Sequence, residues 1–192
     1  PMTGAGDPIA SLQVLGPVAL HRGAGVSSIP ELTQPRPLAV LAYLVLARPR
    51  RLHSRDTLLA LLWPETEQAR GRHALRNALH LIRKALGEQA LLTGGDALVG
   101  VAWEYLQCDA LQMEEAVECR DWERALALYQ GELLTGFHAA DAPEFEDWLS
   151  AERTWFRELA VKSAGALAEE RQQGGDLAGA IRAAERAIFR VT

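Results

Sequence analysis

Cysteine is all but missing from this chain of 192 residues. Its two thiols, Cys108 and Cys119, exclude a disulfide-stapled scaffold, and by themselves they are too few to build a zinc site. Long apolar runs are missing too, none approaching the roughly 20 residues that cross a bilayer. Residues 1–8 lack the basic and hydrophobic blocks of a secretory signal. These absences point to a cytoplasmic protein with no membrane partner. Catalytic signatures are also lacking. There is no Gly-rich phosphate loop ending in Lys-Ser/Thr, no nucleophile elbow and no histidine pair at zinc spacing, and Gly4-Ala5-Gly6 precedes the first strand instead of following one. The chain reads as a non-enzyme that needs no cofactor.

What is present is an ordinary globular composition, 48% apolar and 23% charged with a formal charge of -5, which excludes disordered and collagen-like classes. Charge is unevenly spread. Before Asp109 stand 11 Lys/Arg against 8 Asp/Glu, and from Asp109 onward 9 against 17, so the halves carry net +3 and net -8. Two domains facing different partners are expected, over residues 9–106 and 107–192.

Leu12 to Leu20, around Gly16-Pro17, and Val26 to Leu32 read as short strands of a small antiparallel sheet. Pro35 and Pro37 then suit the first turn of a helix carrying Leu38, Leu41, Leu44 and Val45. Ser54 is a good N-cap for a second, short helix that stops between Trp63 and Pro64. A third helix runs from Ala69 to Leu86 and closes on Gly87. At about 100° per residue its Leu75, Leu79, Ile82 and Leu86 form one stripe, and Arg70, His73, Arg76, Asn77, His80 and Lys84 lie on the opposite face. Leu91 to Thr93 and Leu98 to Val101 then read as strands around a glycine turn. Three helices followed by a hairpin is the order of a winged helix.

From Asp109 the pattern turns helical and acidic, over Leu111 to Cys119, Trp122 to Tyr129, Pro143 to Gln173 and Leu177 to Phe189. Small residues such as Ala125, Ala127, Ala180, Ala184 and Ala187 permit close packing, and the last two helices look like a tetratricopeptide unit. An apolar side at Ala180, Ile181, Ala184 and Ile188 would stack on a further repeat, so a longer protein is expected. Trp122, Trp148 and Trp155 read as packing anchors. The carboxylates Asp141, Glu144, Glu146, Asp147 and Glu152 read as structural, with Asp141 as a cap and Glu144 and Glu146 in a first helical turn.

Particular segments carry a family likeness. They are Ser54-Arg55-Asp56-Thr57-Leu58 through Leu62-Trp63-Pro64, Ala74-Leu75-Arg76-Asn77-Ala78-Leu79 through Ile82-Arg83-Lys84-Ala85-Leu86-Gly87, and Ala125-Leu126-Ala127-Leu128-Tyr129-Gln130-Gly131 through Gly136-Phe137. Phe145-Glu146, Trp148-Leu149 and Glu152-Arg153 complete them. The chain resembles the SARP-type transcriptional activators, which join an OmpR-like winged helix to a bacterial transcriptional activator domain. The resemblance implies a mainly α fold with small β structure, an N-terminal winged helix-turn-helix followed by a tetratricopeptide-like all-α domain. It further implies sequence-specific binding to promoter repeats of double-stranded DNA, a homodimer on those repeats, and contact with RNA polymerase or its sigma subunit. One departure stands at the wing. Gly94-Gly95-Asp96-Ala97-Leu98 lacks the family's Gly-Tyr pair and basic residues, and Asp96 would repel phosphate.

The residues agree with a DNA-binding reading. Arg can pair with guanine and Asn with adenine, while further cations attract backbone phosphate. Arg72, His73, Arg76, Asn77, His80 and Lys84 form the expected contact set, with Arg76 and Asn77 as base readers and Arg70 and Arg83 beside them. Arg50, Arg51 and Arg55 are expected on phosphates. Basic helix faces are usually solvated surface. Here, however, residues 35–88 hold 10 basic against 4 acidic side chains, net +6 in an acidic protein. A second reading stays open, a helical-repeat interaction module of a larger signalling protein whose winged helix docks protein.

Overall fold

The computed structural model describes residues 10–22 and 34–191. The strand expected over Val26 to Leu32 lies outside them. The chain clusters into two units, each discontinuous in sequence. The first takes in residues up to Leu12, Ala19–Gln107 and Phe137–Trp148, and the second Gln13–Val18, Cys108–Gly136 and residues from Leu149 onward. Gln13–Val18 thus groups with the second unit and Phe137–Trp148 with the first.

In the first unit, helix α1 (Pro35–Leu46) opens on prolines at its first positions, where a missing N–H costs nothing. It is apolar nearly all round, and Leu38, Ala39, Val40, Leu41, Ala42, Leu44, Val45 and Leu46 are all buried. It is thus the central rod of this unit, packed on α2 (Arg55–Leu62), α3 (Gln68–Leu86) and strand β5 (Leu98–Val101). β5 pairs antiparallel with β4 (Leu91–Gly94) on one side, Thr93 opposite Val99, and with β3 (His53–Ser54) on the other, His53 also opposite Val99.

A second sheet contains β1 (Ala10–Gln13), β2 (Ala19–Arg22) and β6 (Leu106–Cys108) in the order β2-β1-β6. Leu12 to Leu20 is not one strand, because Gly16 at φ 110° and Pro17 turn the chain between β1 and β2. Strand β6, three residues long and paired with β1 from far along the chain, has no local sequence signal. There the N–H of Ala10 donates to Tyr105 O at 3.2 Å.

The segment Phe137–Trp148 supplies an aromatic chain to this unit. Phe137 meets Phe145, Phe145 meets Trp148, and Trp148 lies 4.9 Å from Tyr43 of α1. Trp148 is thus an anchor, as its size suggests. Asp141 does not cap the following helix. It pairs with Arg36, and Glu146 closes that end by accepting from the N–H of Ala139 and pairing with His138 at 3.1 Å.

The second unit is built on α4 (Asp109–Glu118), α5 (Trp122–Leu128), α6 (Pro143–Gln173, from Leu149 onward) and α7 (Leu177–Val191). α4 and α5 form a helical hairpin, with Asp121 capping α5 by accepting from the N–H of Arg124 at 3.1 Å. Trp122 is buried and donates to Glu170 at 2.9 Å, whereas Trp155 is 43% exposed and donates to Glu114. The expectation that Trp155 is a packing anchor therefore fails. On α7, Ile181 is exposed, while the side chains of Ala184 and Ile188 lie outside the described residues.

Asp109 ties Gln13–Val18 into this unit. Its carboxylate accepts from the main-chain N–H groups of Val14, Leu15 and Ala110. Nothing in the local sequence signals this role. Burial pushes the Asp109 carboxyl above its ordinary range, more strongly than the three N–H donors pull it down. Burial, and next the Asp109 charge, push the Cys108 thiol far up, so it is a structural and unreactive thiol.

Candidate nucleic-acid interface

Helix α3 sorts its residues by face as the 3.6-residue period requires. Leu75, Leu79, Ile82 and Leu86 are each no more than 2% exposed. Gly71 and Ala78 lie in the same buried face, and Arg70, Arg72, His73, Arg76, Asn77, His80 and Lys84 are all exposed. Gly71 matters for position: a Cβ there would lie 3.3 Å from the Leu59 side chain, so its absence lets α3 approach α2 closely.

The start of α2 is held by backbone geometry. The Ser54 hydroxyl accepts from the N–H of Asp56 at 3.2 Å, and Ser54 stands opposite Leu98 in the sheet. The N–H of Arg55 then donates to Ala97 O at 2.8 Å, fastening the helix to the β4–β5 turn. The result is a groove of about 470 Å³, walled by Arg55, Asp56 and Leu59 of α2, Leu75, Arg72 and Arg76 of α3, and Asp96 and Ala97 of the turn. Three arginines and two aspartates thus line one cleft. Arg55 Nε is enclosed there without a hydrogen-bond partner.

The other expected residues fall elsewhere. Arg51 lines a separate concavity with Tyr43, Arg48 and His53, so it does not join Arg55. Arg50, half-buried on the connection from α1, lines neither. Burial first, and Arg51 second, lower the His53 pKa and favour its neutral ring. Arg83 is half-buried with its Nε 4.0 Å from Glu88, unlike the exposed cations from Arg70 to His80. On that ridge Asn77 Nδ2 lies 3.1 Å from His73 Nε2. Sequence reading missed the contribution of Asp56 and the Arg36 anchor. Arg36 stacks over the Trp63 ring, 5.4 Å from its centroid, at the end of α2.

Among the described residues no three His, Cys, Asp or Glu side chains gather to hold a metal, and no helix is long and apolar enough to cross a membrane. The carboxylates from Asp141 to Glu152 do not converge. Asp147 is exposed, and Glu152 is buried in the second unit.

No family model and no curated protein matches the chain. A solved structure does, Mycobacterium tuberculosis EmbR in complex with a low-affinity phosphopeptide, at 20% identity and a TM-score of 0.54. The match covers 96% of this chain and 59% of that one. The likeness is one of fold: the described residues of this chain are mainly helical with small sheets, arranged as in that structure.

Proposed function

We propose that the chain is a sequence-specific DNA-binding transcriptional regulator of SARP type, cytoplasmic and without enzymatic activity. In this reading α1, α2, α3 and the β4–β5 hairpin form a winged helix. α3 enters the major groove, whose width admits a helix. Arg76 and Asn77 read base edges. Arg70, Arg72, His73, His80 and Lys84 line the same ridge, and Arg55 holds a phosphate near the start of α2. Arg50, Arg51 and Arg83 have a lesser, phosphate-steering part. The acidic helical half, residues 107–192, contacts a second protomer on DNA repeats or RNA polymerase and its sigma subunit.

One observation carries the reading. The cationic and amide side chains of α3 are exposed along one ridge, while its apolar stripe is buried. A solvated helix in an acidic protein has no need of that concentration of positive charge. The fold likeness to EmbR supports a regulator of this general kind.

A second reading, a hairpin that docks protein, draws on Leu92 and Leu98, 47% and 36% exposed on either side of acidic Asp96. Binding to a random duplex pool, followed by salt titration of the selected duplex, decides between them. The DNA reading expects log affinity to fall linearly with log salt at a slope reporting several phosphates. Absence of any salt-dependent duplex binding excludes it.

A further inference from the structure

We propose that His73 is a positioning residue that holds the Asn77 amide in the orientation that reads adenine. The inference rests on the DNA-binding reading above and deepens it. His73 and Asn77 stand one helical turn apart on the exposed face of α3, with Asn77 Nδ2 3.1 Å from His73 Nε2. An amide nitrogen donates and does not accept, so this pairing requires His73 Nε2 to accept, with the ring proton on Nδ1.

The consequence follows from amide geometry. An Asn side chain has two N–H bonds and one carbonyl oxygen. When the N–H trans to Oδ1 is the one given to His73, the remaining N–H and Oδ1 lie side by side. That donor and acceptor pair complements N7 and the N6 amino group of adenine in the major groove. Turning the amide by half a revolution exchanges donor and acceptor, which sets the Asn77 NH2 against the adenine amino group and Oδ1 against N7. The terminal torsion of Asn is broad and roughly two-fold, so an unrestrained amide visits both orientations. The bond to His73 selects one of them. Guanine presents two acceptors, N7 and O6, and meets the selected orientation with one match and one clash.

Two measurements test this in the full chain at pH 8. Without DNA, nitrogen NMR of the imidazoles should find His73 as the Nδ1–H tautomer, and as the Nε2–H tautomer in Asn77→Ala. An Nε2–H tautomer in the unaltered protein overturns the pairing. With DNA, the probe is the duplex selected from a random pool, together with its copy in which the adenine most sensitive to Asn77→Ala becomes guanine. His73→Ala should lower the adenine-over-guanine ratio about threefold to tenfold, the range of one modest hydrogen bond. Asn77→Ala should erase that ratio, and adding His73→Ala to it should change nothing further. A ratio untouched by His73→Ala alone but lost in Asn77→Ala overturns the positioning role and leaves DNA reading intact. Failure of the unaltered protein to bind any duplex overturns both, whatever the tautomer. Both side chains are exposed, so neither substitution removes core packing.

Discussion

The main-chain N–H of Val14 donates to the carboxylate of Asp109 at 2.9 Å, across 95 positions of sequence. Two further N–H groups, of Leu15 and Ala110, converge on the same side chain. Asp109→Ala leaves these donors without their acceptor inside the second unit, and we expect a loss of about 1 to 3 kcal/mol in unfolding free energy. Chemical denaturation followed by circular dichroism measures it. A loss below about 0.5 kcal/mol would show that water replaces the carboxylate freely.

The same residue sets a pH dependence. Because burial raises the Asp109 pKa above its unfolded value, the folded chain binds this proton more tightly than the unfolded one. By linkage, its contribution is fully present below the ordinary carboxylate pKa and is lost as pH rises through the raised folded value. The stability gap between the unaltered chain and Asp109→Asn, which does not titrate, should therefore widen on acidification through that window. Urea unfolding of both proteins across a pH series gives the gap directly, and narrowing in acid would contradict the sign.

At the buried stripe of α3, Ile82 is wholly enclosed. Ile82→Ala should cost about 2 to 5 kcal/mol through lost transfer energy and a residual cavity. His80→Ala, on the opposite exposed face, should shift stability by less than about 0.5 kcal/mol. Thermal unfolding of the two variants side by side tests whether the helix is sorted as described.

On DNA, Arg76→Ala should cost about 1 to 3 kcal/mol against the selected duplex and relax preference at one base pair. A loss that is uniform across sequences would instead make Arg76 a phosphate contact. Competition binding with single-base-pair variants separates the two outcomes.

Asp96 sits at the β4–β5 turn beside Arg55, Arg72 and Arg76. Asp96→Lys exchanges a repulsive charge for a phosphate-seeking one, so we expect tighter duplex binding and a salt slope steeper by about one unit. Unchanged slope and affinity would mean that this turn stays clear of the duplex.

Much of the helical fold was legible in the sequence because helix signals are local. Ser54 before Arg55, Gly87 after Leu86 and the spacing of Leu75, Leu79, Ile82 and Leu86 each depend on residues within a turn or two. The expected third helix begins one residue after the observed α3 and ends with it at Leu86. The exposed ridge was legible for the same reason, since burying one face of a helix exposes the other. Strands β3 and β6 were not legible. His53–Ser54 and Leu106–Cys108 are two and three residues long, and their partners lie tens of residues away.

The sequence by itself determined where the helices run and which side of α3 carries the positive charge and amides, because both follow from a repeating turn of about 3.6 residues. Tertiary structure alone decided which charges meet. It fastened Arg55 to Ala97 and so brought it beside Arg72 and Arg76, turned Arg51 into a different concavity, and gave Asp109 three backbone donors. Those encounters depend on the pairing and packing of distant segments, which leave no periodic trace along the chain.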